Sequence, residues 1–294
     1  MRMLAQQSSQ TATFIGFIAI GLWAVLALLT ALSGNVPPFQ LTAICFALAT
    51  LLGMARMAKS GKTGVLTGLP WTVWALGIGG LFGYHFFYFT ALRNAPAAEA
   101  SLIAYLWPLL IVIFSALLPG ESLKARHVLG GVLGLAGLAV LGGNALGAGS
   151  GEGNLWLGYG AAGLCALIWS SYSVLSRRFA DVPTDSVTGF CAVSAILALM
   201  CHLAWESTVW PQTSIEWLAV IGLGLGPVGG AFYVWDIGVK RGNIQLLGVA
   251  SYATPILSVI VLVLFGLAEP TWQLAVASLL VSLGALVASR QWRA

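Results

Sequence analysis

The chain has 294 residues, 59% hydrophobic and only 7% charged, with 13 Lys and Arg against 9 Asp and Glu. Ordinary soluble domains carry roughly 25% charge, and so few ionic groups cannot cover a globule of this size, which excludes a soluble fold and leaves an exterior facing lipid. The net charge of +4 sits in the loops between apolar runs, a topology signal rather than a nucleic-acid footprint.

Apolar runs near 20 residues, each able to cross a hydrocarbon core of about 30 Å as a helix, occur at 13–32, 38–57, 70–91, 97–118, 127–143, 155–176, 186–205, 217–239, 244–266 and 271–289. They are continuous rather than alternating, which argues against a β-barrel. The first run follows Arg2 and ends in the small residues "TALSG", like a signal peptide. It is longer than the 7–15-residue core of such a segment and has a partner in the second half, so it reads as a span. It carries Trp23 near its middle.

Span 3 contains "YHFFYFTAL", Tyr84 to Leu92, a histidine and five aromatic rings in a lipid-soluble run. On a helix Tyr84, His85 and Tyr88 share one face. A histidine within a span is costly unless it pairs or faces water, so this face is a candidate cavity wall. Its hydroxyls, imidazole and rings suit an ammonium, a carboxylate or an aromatic side chain. Phe86, Phe87 and Phe89 fall to lipid or to neighbouring helices.

Span 4 carries Tyr105, Trp107 and Pro108, and span 9 carries Tyr252 and Pro255. Each proline removes a backbone donor, leaving the carbonyl of Ala104 or Ser251 without its usual partner. That marks a hinge, and the freed carbonyl could also receive an ammonium. On an ideal helix Tyr105 and Trp107 point about 200° apart, so both reach one cavity only if the turn is distorted or the cavity wraps the helix. Glycine pairs four apart (Gly79 and Gly83, Gly130 and Gly134, Gly222 and Gly226, Gly226 and Gly230) read as close helix contacts. "GGNALGAGSGEGN", Gly142 to Asn154, reads as a flexible mid-chain linker.

Span 6 holds Trp169. Trp23, Trp107 and Trp169 lie mid-span and point to an interior site. Trp71, Trp74, Trp156, Trp205, Trp210, Trp217, Trp272 and Trp292 lie near span ends, where indoles favour the interface. Cys45, Cys165, Cys191 and Cys201 lie in spans without C-x-x-C spacing and read as small core residues, with no metal site. With the N-terminus cytoplasmic, inside loops hold every Lys and Arg except Arg93, which places both termini in the cytoplasm.

Sliding the chain on itself by 146–147 residues sets Trp23 on Trp169, Pro37 on Pro183, Cys45 on Cys191, Met54 on Met200, Tyr105 on Tyr252 and Pro108 on Pro255. The halves, 1–147 and 148–294, hold five spans each. An odd number makes the second half enter from the opposite side, the inverted repeat of many secondary transporters, with a substrate site near the midplane.

This organisation, with the blocks "AYLWPLLIVIFSALLPGESL" and "SYATPILSVIVLVLFGLAEPTW", resembles the EamA-type exporters of the drug/metabolite transporter superfamily. "GYHFFYFTAL" with "AYLWPLL" resembles the YddG-type exporters of aromatic amino acids within it. The resemblance spans essentially the whole chain. It implies a ten-helix all-α basket in a bacterial inner membrane, with a central cavity lined mainly by spans 1, 3, 4, 6, 8 and 9, exporting amino acids. The substrate-binding positions it implies are Trp23, Tyr84, His85, Tyr88, Tyr105, Trp107 and Trp169, with Tyr252 as the counterpart of Tyr105 and Pro108 and Pro255 as hinges. In the second half Thr254 stands where Trp107 does, and Ala231 and Phe232 stand where Tyr84 and His85 do, so recognition is lopsided.

Only Glu99 and Asp236 among the acids fall within spans, both near ends. A proton-driven cation exporter calls for a buried midplane carboxylate, so facilitated export of a neutral or zwitterionic solute is expected, with His85 the one midplane group able to carry a proton. The competing reading is an exporter of other metabolites or drugs, proton-coupled through an acidic cavity. An enzyme is not expected: there is no HExxH or GxSxG, and His85, His127 and His202 lie on separate segments. No cofactor or catalytic residue is implied. The partners are amino acids and the bilayer, with no nucleic acid; a monomer is compatible with the sequence, which does not fix the oligomeric state.

Overall fold

The structure, a computed structural model, describes residues 2–61, 63–120, 122–142 and 154–289. Residues 143–153 of the expected linker, with Lys62, Arg290, Trp292 and Arg293, lie outside the described residues. Among those described, the regular structure is helical throughout: α1 (Arg2–Ala24), α2 (Leu26–Leu32), α3 (Pro38–Ser60), α4 (Trp71–Ile78), α5 (Tyr84–Asn94), α6 (Ala97–Ala104), α7 (Trp107–Ser115), α8 (Ala125–Gly142), α9 (Leu155–Ser176), α10 (Ser186–Trp205), α11 (Ser214–Leu225), α12 (Ala231–Arg241), α13 (Ile244–Ala250), α14 (Ala253–Leu264) and α15 (Trp272–Ser289). Six helical stretches are long and apolar enough to cross a membrane: Ser8–Leu32, Pro38–Ser60, Trp71–Asn94, Ser186–Trp205, Ser214–Arg241 and Ile244–Leu264. Glu99–Ser115, Ala125–Val140 and Trp272–Ala288 are shorter apolar helices. The chain is an all-α, multi-pass membrane protein.

Helix boundaries follow local chemistry. Pro37 and Pro38 open α3, Pro70 precedes α4 and Pro96 precedes α6, positions where a missing N–H costs nothing. Side-chain oxygens of Asn154, Thr213 and Asn243 accept the N–H of Leu157, Glu216 and Leu246 at 3.2, 3.2 and 2.9 Å, capping α9, α11 and α13. Gly61, at φ +68°, ends α3 in the left-handed conformation that a side chain resists.

The two halves repeat this plan. A π-helical turn at Gly79–Gly83 joins α4 to α5, and another at Gly226–Gly230 joins α11 to α12 at the equivalent place. Spans 4 and 9 both break, at Tyr105–Leu106 and at Ser251–Tyr252. Packing is reciprocal as well. Helix α3 lies on α10 and α8 on α15, while the α1–α12 contact is matched by its counterpart between α5 and α9. At the α8–α15 crossing a Cβ on Gly284 would stand 2.6 Å from the Gly130 carbonyl oxygen, so those backbones meet because neither residue has a side chain.

Trp71, Trp156, Trp205, Trp210, Trp217 and Trp272 are exposed, as belt residues are. Trp74 differs from the belt expectation: it is half-buried, edge-on to Phe190 at 5.7 Å. Cys45, Cys165 and Cys191 are buried free thiols and Cys201 is partly buried.

Candidate functional site

Three interruptions of the helices build the interior. Helix α1 stops just after Trp23, at Val25, whose N–H reaches the Leu22 carbonyl in a tight turn of 3.3 Å before α2 resumes. The π turn at Gly79–Gly83 ends where Tyr84 begins, and π turns of this kind locally re-aim a helix. Between α6 and α7, Tyr105 (φ −71°, ψ 9°) leaves the helical path, and Leu106 bonds back only three residues, to Ile103 at 3.1 Å. This break brings both Tyr105 and Trp107 to one cavity, where a straight helix would separate them, and their rings lie 6.4 Å apart.

The cavity has a volume of about 100 Å3 and is lined by Trp23, Leu26, Tyr84, His85, Tyr105, Trp107, Trp169, Pro227, Val228, Phe232 and Thr254. None of these carries a formal charge. Against it lies a tetrad of Trp23, Trp107, Trp169 and Trp235, whose six centroid separations run from 5.1 to 6.3 Å. Most pairs are edge-on or tilted, the arrangements the ring quadrupole favours. Two indole N–H groups are already used: Trp23 donates to the Pro227 carbonyl at 3.0 Å and Trp235 to Ser173 Oγ at 3.1 Å. The first bond ties α1 to the π turn before α12 and so crosses between the two halves, while the second ties α12 to α9 within the second half.

His85 donates from Nδ1 to the Leu81 carbonyl, 2.8 Å away. A carbonyl only accepts, so Nδ1 carries the hydrogen and the neutral ring keeps an acceptor at Nε2. The ring lies against Phe46 at 5.2 Å and Phe232 at 6.2 Å. Tyr84 packs on Trp169 at 5.7 Å and stacks on Tyr88 at 5.8 Å. The phenylalanines of the same segment pack elsewhere, Phe86 and Phe89 against Phe39 on α3.

Six of the eight expected binding residues thus meet at the cavity: Trp23, Tyr84, His85, Tyr105, Trp107 and Trp169. Tyr88 stands behind Tyr84, its hydroxyl 3.4 Å from Ser101 Oγ, and does not line the space. Tyr252 is turned away altogether, fully buried in a cluster with Leu138, Ile256, Ala277 and Val281. The reason is one residue of register. The break in span 4 begins at Tyr105, but the break in span 9 begins one residue before Tyr252, and each residue turns a helix by about 100°. Thr254, the counterpart of Trp107, does line the cavity. Pro108 and Pro255 follow their breaks, as a hinge residue would, but the Ser251 carbonyl is not free: it accepts the Thr254 N–H at 3.0 Å.

Sequence reasoning missed Trp235, Phe232, Thr254, Leu26, Pro227 and Val228. The internal repeat carried a signal for two of them, since Trp235 and Phe232 stand 147 residues after Tyr88 and His85. Among the described residues no cluster of His, Cys, Asp and Glu could hold a metal ion.

Away from the cavity, ion pairs tie the helix ends. On the side of the Arg177 loop, Asp236 and Lys240 pair at 2.9 Å within α12, while Thr184 Oγ1 donates to Asp236 at 2.7 Å and Lys240 donates to the Val182 carbonyl at 3.0 Å. Arg56 and Asp185 pair at 2.5 Å nearby on α3 and before α10. At the opposite end Glu206 receives Arg93 at 2.9 Å and the N–H groups of Phe39 and Gln40 at 3.1 Å.

The model of the EamA-like transporter family matches this sequence twice, over residues 9–143 and 156–290. The chain belongs to the EamA-like transporter family. It is therefore a membrane transporter rather than an enzyme. Among members with named activities, the aromatic amino acid exporter YddG of Ancylobacter novellus is 55% identical over 96% of this chain and 98% of its own length. The Escherichia coli exporter of the same name is 29% identical over 85% and 86%. A pseudopaline exporter of Pseudomonas aeruginosa is 26% identical over 68% of each chain. A solved crystal structure superposes with a TM-score of 0.90 at 57% identity, covering 95% of this chain and 96% of that one.

Proposed function

We propose that this protein exports aromatic amino acids across a bacterial inner membrane by alternating access. Ten spans form two inverted five-helix repeats, 1–147 and 148–294, with both termini cytoplasmic. The observation that carries the reading is the cavity: Trp23, Tyr84, Tyr105, Trp107 and Trp169 wall it around His85, and no charged side chain lines it. Such a wall suits a net-neutral zwitterion with a large ring, which the rings can contact edge-on. The YddG relatives support the substrate class. The double family match, the paired π turns and the reciprocal helix contacts support the repeats, and the loop charges support the orientation.

Transport is facilitated by the solute's own gradient. No carboxylate lines the cavity, and the buried Asp236 on α12 is already paired with Lys240. The cavity, at about 100 Å3, is smaller than the roughly 300–1,000 Å3 of ligand sites, so the substrate enters by widening it. The breaks before Pro108 and Pro255 are the hinges for that movement, and α12, which carries Trp235 and the Asp236–Lys240 pair, closes the cytoplasmic side.

Flux of tryptophan, phenylalanine and alanine in proteoliposomes, with and without a pH gradient, tests this. Aromatic flux that persists without the gradient is expected. Absence of aromatic flux refutes the substrate, and strict dependence on the proton gradient refutes facilitated transport.

A further inference from the structure

Thr254 on α14 stands where Trp107 stands on α7, 147 residues earlier, and it faces the same cavity. It is 5% exposed, yet its Oγ1 has no hydrogen-bond partner among the described residues. A helical threonine ordinarily gives its hydroxyl hydrogen to the carbonyl four residues back. Thr13, Thr30, Thr42, Thr50 and Thr90 all do so at 2.7–2.8 Å. For Thr254 that carbonyl belongs to Ala250, on the far side of the Ser251–Tyr252 break, and the bond is not made. A buried hydroxyl without a partner is destabilising and needs a reason.

The polarity of the cavity supplies one. His85, on α5, offers an acceptor at Nε2 because its Nδ1 is held by the Leu81 carbonyl. Helix α5 packs on α6 and α9, whereas α14 packs on α1, α2, α8 and α15, so His85 and Thr254 belong to different walls. One wall presents an acceptor, the other a hydroxyl whose hydrogen is uncommitted. With no Lys, Arg, Asp or Glu among the lining residues, the two charged ends of an amino acid would meet neutral groups, and among the described lining residues Thr254 alone carries a buried hydroxyl without a partner.

We propose that Thr254 is the residue that recognises the substrate carboxylate, its hydroxyl donating to a carboxylate oxygen while the substrate ammonium donates to His85 Nε2. The proposal rests on the amino-acid reading of the cavity and orients the substrate within it: polar ends toward α5 and α14, ring against the tryptophans. The small side chain at 254, where the repeat has an indole at 107, leaves room for that carboxylate.

The test compares tryptophan with tryptamine, which lacks only the carboxylate. Apparent affinities come from ligand-dependent melting of the purified full-length chain, a readout that needs no transport. Wild type, Thr254→Val, Thr254→Ala and Thr254→Ser are titrated with both compounds. The preference for tryptophan over tryptamine is expected to fall about ten- to hundredfold in the Val and Ala variants, the scale of a hydrogen bond to a charged group. Thr254→Ser restores it, and tryptamine affinity stays within about twofold throughout. Equal weakening of both ligands, or an unchanged preference, overturns the proposal while leaving the export reading intact. Wild-type protein that neither binds nor moves tryptophan overturns the export reading and the proposal together.

Discussion

Replacing Trp235 with alanine tests the tetrad as a structural unit. In a soluble protein the loss would be dominated by returning an indole to water, but a separated membrane helix leaves its side chains in lipid, so that transfer contribution vanishes. What remains is packing and one hydrogen bond. Trp235 is fully buried and contacts Trp23, Trp107 and Trp169 at 5.1, 6.0 and 6.3 Å. Each ring pair contributes about 0.5–1.5 kcal/mol, and the bond to Ser173 Oγ contributes about 1 kcal/mol. Trp235→Ala should therefore destabilise the folded chain by about 2.5–5.5 kcal/mol. Trp235→Phe should lose about 1–2 kcal/mol, because it keeps a ring but gives up the N–H. Reversible unfolding in mixed micelles, followed by tryptophan fluorescence and circular dichroism, measures both. A loss below about 0.5 kcal/mol for the alanine variant would refute the claim that the four rings form one packed unit, as would a phenylalanine variant as damaged as alanine.

The cavity wall and the ion pair give two further expectations. His85→Ala is expected to reduce tryptophan flux at least tenfold with normal membrane insertion, whereas Tyr88→Phe, which keeps the stack on Tyr84 and loses only the 3.4 Å contact to Ser101, should transport near the wild-type rate; wild-type flux in His85→Ala would return that residue to packing. Asp236→Asn leaves Lys240, only 7% exposed, without its carboxylate. The variant should lose about 3–5 kcal/mol of stability, less what the lysine recovers by reaching the interface. Asp236→Asn combined with Lys240→Met should recover part of that loss. A double variant no more stable than the single would show that the pair is not what holds α12 to the Val182–Thr184 loop.

Much of the cavity lining was legible from residue type and position. Trp23, Trp107 and Trp169 stood out because an indole at mid-span has no interface to occupy, and His85 because an unpaired imidazole in lipid is costly. Trp235 lies four residues from the end of its expected span, where an indole also suits the interface, so position alone does not single it out. Tyr252, which the repeat sets on Tyr105, lies outside the cavity, and the two helix breaks differ in phase by one position. The Ser251 carbonyl, counted as freed by Pro255, is taken up by a three-residue turn that the pattern of apolar residues does not encode.

By itself the sequence determined that this is a multi-pass helical membrane protein, and it pointed to repeated halves and to a mid-span group of aromatic, uncharged residues. Those properties are sums over many residues or follow from the cost of placing a polar group in lipid, so they survive small errors of register. Tertiary structure decided which rings meet. The Trp23 N–H finds the Pro227 carbonyl 204 positions away, and where a helix breaks, a shift of one residue swings a side chain by about 100°. Tyr252, the repeat counterpart of Tyr105, is packed away from the cavity, while Thr254, the counterpart of Trp107, lines it.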